Sequence, residues 1–120
     1  DNTFDVVICN HVLEHVDDSH KVMTEFYRVM KPGGWGIFQV PIDTNNPITE
    51  EDISVTDPKE RERLYWQDDH LRLFGLDYGK KLAAAGFKVT ESDFINELSP
   101  ELVERYALPK GEIVYFCEKK

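Results

Sequence analysis

The 120-residue sequence predicts an α/β fold built on a mixed, partly parallel β-sheet, and three observations lead to that prediction. Residues 4–9 (FDVVIC) form a short apolar run rich in β-branched residues, which is typical of a strand buried on both faces. A pattern with helical spacing follows, and a second apolar run occupies residues 35–40. Strand, helix and strand in this order form a βαβ unit, in which the two strands are parallel and the crossover is right-handed.

The first helix is predicted from about Ser19 to Met30. Apolar residues recur there at helical spacing and give the helix one apolar face. Residues 17–19 (DDS) offer oxygen atoms for an N-cap, and residues 31–34 (KPGG) cannot continue a helix. The second strand then covers residues 35–40.

Residues 41–70 interrupt this alternation with a polar, acidic segment that contains three prolines. Asp57 and Pro58 form a helix start, with an acid three residues after the cap, and a short helix is predicted through about Trp66. The segment is long for a plain connection. We therefore predict that it is an insert within a single partial domain spanning 1–120, and that it acts as an active-site cover or a partner surface.

The second half of the chain predicts the order of the remaining strands. A helix is expected from Leu76 to Ala85, ended by Gly86 at the C′ position, and residues 87–90 alternate as an exposed edge strand does. A short helix opens at Ser99. The last strand, residues 113–117, is apolar on both faces and belongs inside the sheet, antiparallel between the strands near 35 and 87.

Composition excludes several classes of protein. A net charge of −9 argues against a general nucleic-acid binder and against a protein held to anionic lipid. No apolar run approaches the roughly 20 residues that span a bilayer. The only two cysteines, Cys9 and Cys117, lie in apolar runs, so we expect buried, reduced thiols and a cytoplasmic protein. Because Asp1 is followed at once by an apolar strand, we expect the chain to be part of a longer protein.

The polar residues Asn10, His11, Glu14 and His15 directly follow the first strand and are the densest chemical feature of the sequence. In an open α/β sheet, ligands bind beyond the carboxyl ends of the strands. Histidine titrates near neutral pH, so it can act as a base, an acid or a metal ligand. The plainer interpretation is that one imidazole lines a pocket and the other packs in the following turn.

These segments together resemble a known family. Residues 4–16 (FDVVICNHVLEHV), the following helix and residues 30–34 (MKPGG) resemble the fourth strand, fourth helix and fifth strand of class I S-adenosylmethionine-dependent methyltransferases of the small-molecule type. Residues 82–87 (LAAAGF) resemble that family's last helix entering strand six. The resemblance implies the C-terminal half of a Rossmann-like fold, with a mixed sheet of order 4-5-7-6 and helices on both faces.

The resemblance also implies an activity, a cofactor and site residues. The intact domain would transfer a methyl group from S-adenosylmethionine to a small molecule, with Cys9, Asn10 and His11 at the cofactor and His11 or His15 as the general base. The family's glycine-rich loop after strand one is absent, and so is its acidic residue after strand two. We therefore expect the isolated chain to be inactive.

A second group of charged residues, Asp69, His70 and Arg72, would belong to the substrate cover, although a solvated helix cap is the simpler interpretation of these residues.

Two alternatives remain open at this stage. We predict no metal cofactor, but His11, Glu14, His15 and His70 have ligand-like spacing, and His11-x-x-Glu14-His15 also spells a pattern found in metal-dependent hydrolases. That pattern requires a long helix, whereas here it follows a strand. The other alternative is a non-catalytic α/β module that self-assembles, because the strand at residues 4–9 has only one neighbour encoded and its free edge could form a homodimer.

Overall fold

The computed structural model describes residues 1–107 and 111–120, and within these ranges it contains four strands and five helices. In chain order the elements are β1 (Phe4–Asn10), α1 (Ser19–Val29), β2 (Met30–Gln39), α2 (Pro58–Tyr65), α3 (Tyr78–Ala84), β3 (Lys88–Ser92), α4 (Phe94–Glu97), α5 (Pro100–Arg105) and β4 (Val114–Glu118).

The strands form one mixed sheet with the spatial order β1-β2-β4-β3. β1 and β2 are parallel, with Cys9 opposite Phe38 and Asn10 opposite Gln39. β4 lies between β2 and β3 and is antiparallel to both. These are the positions in which the sequence places its four strands, and the strand that is apolar on both faces is indeed an interior one.

Helix boundaries agree closely with their sequence signals. The carboxylate of Asp18 accepts a hydrogen bond from the Lys21 N–H at 3.0 Å and caps α1, and Asp57 caps α2 with Pro58 at its first position. Gly86 follows the end of α3 with a φ of 116°. Two details were not predicted. β2 begins at Met30, directly after α1, and the four-residue helix α4 lies in a segment with no strong start signal.

The core lies on one face of the sheet, under α1 and α3. Met23 of α1 and Leu82 of α3 are both buried there, in the same cluster as Phe38 and Cys117. The ring of Phe26 stacks on that of Phe38 at 5.1 Å. A Cβ atom on Gly36 would come within 2.7 Å of the Phe38 ring and of the Val7 carbonyl, so this close packing requires glycine.

The expectation that β1 is buried on both faces is wrong for the described residues. Phe4, Val6 and Ile8 are 52%, 41% and 54% exposed, and Trp35 on the neighbouring strand is 37% exposed. The reason is topological. Among the described strands β1 pairs with β2 alone, and the residues of α1 and α3 in the core cluster pack on the opposite side. The apolar sequence of β1 therefore faces solvent over half of its side chains.

The segment after β2 returns to pack beside the carboxyl ends of β1 and β2. Ile42 forms a parallel bridge with Phe74, and Glu50 forms an antiparallel bridge with Leu73. The Asp77 carboxylate accepts hydrogen bonds from both the backbone N–H and the hydroxyl of Thr49, at 3.0 and 2.6 Å.

Within residues 1–107 and 111–120, none of the helices combines the length and apolar character that crossing a membrane requires. Both cysteines are buried and free, as predicted.

Candidate functional site

The candidate site begins where β1 ends. His11 follows Asn10 with a left-handed φ of 55°, and its backbone N–H donates to the Gln39 carbonyl at 2.8 Å. This conformation turns the chain sharply away from the sheet. The turn that follows carries Glu14 and His15 at the carboxyl edge, where the sequence analysis places the candidate site.

A buried arginine fixes this turn. The Arg72 guanidinium is 1% exposed, and it donates to the carbonyls of Leu13 and Asp17 and to the Glu51 carboxylate, at 2.5, 3.0 and 2.9 Å. The Leu71 N–H donates to the Glu14 carbonyl at 2.8 Å. These bonds hold residues 69–72 against residues 11–17. The interpretation of residues 68–72 as a solvated cap is wrong for His70 and Arg72, because both are buried: Arg72 bonds the insert to the turn, and the His70 ring packs against His15.

Glu14, His15 and His70 come together through these contacts. The Glu14 side chain is 2% exposed; one of its carboxylate oxygens lies 3.6 Å from His15 Nδ1, and the other lies 3.7 Å from His11 Nδ1. His15 Nε2 is 3.3 Å from the Asp69 carboxylate. The rings of His15 and His70 meet edge to face with centroids 4.7 Å apart. The cluster thus contains five residues named in the sequence analysis, three from the turn (His11, Glu14 and His15) and two from the insert (Asp69 and His70).

A cleft of about 380 Å³ lies next to this cluster. His11 and Trp66 line it from the turn and the insert, and Glu91, Glu112 and Tyr115 line it from β3 and β4. Burial, together with the charge of Glu91, raises the pKa of Tyr115 to about 12, so its phenol remains protonated at neutral pH. The volume lies in the range of small-molecule pockets.

Gln39 holds three residues of the cleft wall through its side-chain amide. Its amide accepts from the Tyr115 N–H at 2.7 Å and donates to the Ile113 carbonyl at 2.9 Å and to the Glu112 carboxylate at 3.2 Å. The backbone pairing of β2 with β4 stops at Ile37. Where the two strands separate, the side chain of Gln39 therefore supplies the hydrogen bonds that the two backbones no longer make with each other.

The remaining predicted residues differ in what they can contact. Asn10 is exposed at the end of β1, whereas the Cys9 side chain points into the core. Burial raises the pKa of the Cys9 thiol, and the Glu14 charge adds to this. Asp69 is 63% exposed and His11 60%. The sequence analysis did not predict the cleft wall formed by Glu91, Glu112 and Tyr115, because no local signal connects β3 and β4 to the turn after β1.

Comparisons with known proteins agree with this fold. Residues 1–38 match the family model described as a methyltransferase domain. The resemblance to the class I methyltransferases is thus confirmed. A segment of 34 residues is 53% identical to the ubiquinone/menaquinone biosynthesis C-methyltransferase UbiE of Desulfotalea psychrophila; this segment covers 28% of the chain and 14% of that protein.

Solved structures extend the similarity to nearly the whole chain. The [4+2]-cyclase SpnF superposes with a TM-score of 0.62 at 19% identity, covering 99% of this chain and 52% of SpnF. A Thermotoga maritima S-adenosylmethionine-dependent methyltransferase, described as a possible histamine N-methyltransferase, gives 0.57 at 21% identity, covering 100% of this chain and 58% of that one. The chain thus spans little more than half of these structures, and at such identities the likeness establishes the fold.

The hydrolase alternative loses its structural basis in this methyltransferase fold. His11, Glu14 and His15 lie in a turn rather than in the long helix that the hydrolase pattern requires. The two histidines nevertheless lie close to the Glu14 carboxylate in this turn.

Proposed function

We propose that this chain is the C-terminal half of a methyltransferase domain, and that the complete domain transfers a methyl group from S-adenosylmethionine to a small molecule. The observation that carries the proposal is the family-model match over residues 1–38, which contain β1, α1 and most of β2. The carboxyl ends of these strands are where open α/β sheets bind their ligands.

The bare face of the sheet supports the assignment to half a domain. Sheets with parallel strands are normally covered on both faces, yet Val6 and Ile8 on β1 and Trp35 on β2 are exposed. This chain covers 52% and 58% of the two solved structures. That coverage agrees with the proposal that the complete domain is about twice as long as this chain. Further strands and helices of a longer protein would pair with β1 and cover these side chains.

The residues at the end of β1 fit one end of the cofactor. The amide of Asn10 is exposed there, and the carboxylates of Glu91 and Glu112 line the adjoining cleft, where they favour a cationic group. Cys9 can contribute only through its backbone, since its side chain is buried in the core. The N–H of His11 is already used by Gln39. When bound, S-adenosylmethionine supplies an activated methyl group with a neutral leaving group.

His11 is the better of the two candidate bases. Its side chain is 60% exposed and lines the cleft, whereas both nitrogens of His15 lie within 3.6 Å of a carboxylate. The buried Glu14 carboxylate lies 3.7 Å from His11 Nδ1, so this nitrogen faces the turn and Nε2 is the nitrogen on the other side of the ring. Nε2 is then free to accept a proton from the substrate. His11 would orient the acceptor and remove its proton as the methyl group is transferred.

The insert is proposed as the substrate cover, with different roles for its three predicted residues. Asp69 is exposed beside the cluster and can face a substrate. His70 and Arg72 are 2% and 1% exposed and hold the cover in place instead. The acidic groups of the cleft favour a neutral or cationic acceptor.

The deciding experiment compares this chain with a longer protein that includes the preceding coding sequence. Calorimetry with S-adenosylhomocysteine is expected to show binding to the longer protein and little or none to the 120-residue chain. In the longer protein, His11→Gln should lower methyl transfer by 10²- to 10⁴-fold, the usual contribution of a general base, while the exposed control His20→Gln leaves it unchanged. Tight binding of S-adenosylhomocysteine by the 120-residue chain would refute the half-domain proposal.

We also propose that the 120-residue chain forms a homodimer through β1. Its outer edge has no hydrogen-bonding neighbour among the described strands, and it carries the exposed side chains of Phe4, Val6 and Ile8. An apolar free edge of this kind favours pairing with a second copy.

A further inference from the structure

We propose that Glu14, His15 and His70 form a binding site for a divalent transition-metal ion. The three side chains come from the turn after β1 and from the end of the insert, and each offers one ligand atom. The proposal concerns metal binding by this chain, and it stands whether or not the methyl-transfer proposal is correct.

The first observation is an unpartnered buried carboxylate. Glu14 is 1% exposed, and neither of its carboxylate oxygens has a hydrogen-bond partner among the described residues. The nearest imidazole nitrogens, at 3.6 and 3.7 Å, are too distant for hydrogen bonds. Buried carboxylates are normally paired, hydrogen-bonded or bound to a metal, because an isolated charge is costly to bury. A bound cation would supply the missing partner.

The second observation is the spacing of the ligand atoms. One atom each from Glu14, His15 and His70 lies within 4.8 Å of the others. Zinc binds imidazole nitrogen and carboxylate oxygen at about 2.0–2.2 Å. Small side-chain rotations that draw the atoms inward by about 1 Å would therefore complete three metal–ligand bonds of this length.

The third observation is that each histidine already has an outer partner for its second nitrogen. His70 Nδ1 lies 2.9 Å from the Tyr65 carbonyl and donates its proton there, which leaves Nε2 with a free lone pair. His15 Nε2 lies 3.3 Å from the Asp69 carboxylate, which leaves Nδ1 directed toward Glu14. Metal-binding histidines characteristically donate their other N–H to a carbonyl or carboxylate in this way.

The ligand set selects the class of ion. Two imidazoles and one carboxylate suit Zn²⁺ and its first-row neighbours, whereas Ca²⁺ and Mg²⁺ prefer oxygen ligands. Three protein ligands leave a fourth position for water or for His11, whose Nδ1 lies 3.7 Å from the other Glu14 oxygen. The ion would thus sit beside the cleft.

The test measures Zn²⁺ binding by the 120-residue chain, using calorimetry after removal of metal with a chelator. We expect one Zn²⁺ per chain, and we expect Glu14→Gln and His70→Gln each to weaken binding by at least tenfold. His20→Gln is the matched control, because His20 is exposed on α1 and should bind nothing in this site. Co²⁺ should give the visible absorption of a tetrahedral site in the wild-type chain and not in Glu14→Gln.

A positioning variant keeps the test independent of folding. Asp69 is exposed, so Asp69→Asn should leave stability unchanged and yet weaken Zn²⁺ binding by 10- to 100-fold, while its neighbour Asp68→Asn does not. Circular dichroism of every variant, and repetition in the longer protein, separate metal loss from unfolding. The proposal is overturned if the folded wild-type chain binds no Zn²⁺, or if Glu14→Gln binds it as tightly as the wild type does. Neither result would affect methyl transfer as proposed above.

Discussion

Replacing Arg72 with methionine should strongly destabilise the chain, because this buried cation holds two segments together. The substitution removes charged hydrogen bonds to the carbonyls of Leu13 and Asp17 and to the Glu51 carboxylate. Leu13 is fully buried, so its carbonyl would lose its partner where water cannot easily replace it, at about 1–3 kcal/mol. Asp17 and Glu51 are more exposed and contribute less. We expect a total loss of about 3–5 kcal/mol, the range for breaking a buried ionic network.

Urea unfolding followed by circular dichroism measures this loss directly. With a slope of about 1–3 kcal/mol per molar urea, the midpoint should fall by about 2 M. Arg63→Met is the matched control, because Arg63 is 65% exposed and pairs with Glu60 on the same helix. That pair is exposed to solvent and should contribute little to stability. Equal losses in the two variants would refute the assignment of Arg72 as the clamp of the turn.

Three further predictions concern the thiols, the free edge and the core phenol. Burial raises the pKa of Cys9 and raises that of Cys117 to about 12, so neither should react with a disulfide reagent at pH 8 until urea is added. Sedimentation at micromolar concentration should show self-association that Ile8→Lys abolishes and Ile53→Lys, at a 97% exposed site, does not; a monomeric wild type contradicts this. The contribution of Tyr115 to stability should be fully present below pH 10 and be lost between pH 10 and 12, because folding raises its pKa from 10 to about 12; Tyr115→Phe should therefore reduce the fall in stability over that interval.

Most of the fold follows from local sequence patterns. Helix ends depend on neighbouring residues and can therefore be predicted from the sequence. Examples are the caps at Asp18 and Asp57 and the glycine at position 86. The interior position of β4 follows from its apolar residues on both faces. The exposure of β1 does not follow from the sequence, because Ile8 lies in an apolar run of the kind that is usually buried. It contacts solvent because no described element covers that face of β1.

The site was predictable only in part, for a related reason. Glu14 and His15 are adjacent in sequence and follow a strand, so their place at the carboxyl edge could be predicted. Arg72 has the sequence environment of a solvated residue, and its burial depends on carbonyls more than fifty positions away. The cleft wall that includes Tyr115 likewise depends on strand order rather than on any motif.

The hydrogen bonds of the Gln39 amide affect how the cleft can bind a ligand. Strands that diverge normally leave a seam of unsatisfied backbone groups, and here one side chain bonds to three groups across that seam. These bonds connect β2 to Glu112, Ile113 and Tyr115, three residues of the cleft wall. A ligand that binds in the cleft would therefore meet a wall that is already held in place, and little entropy would be lost in organising it.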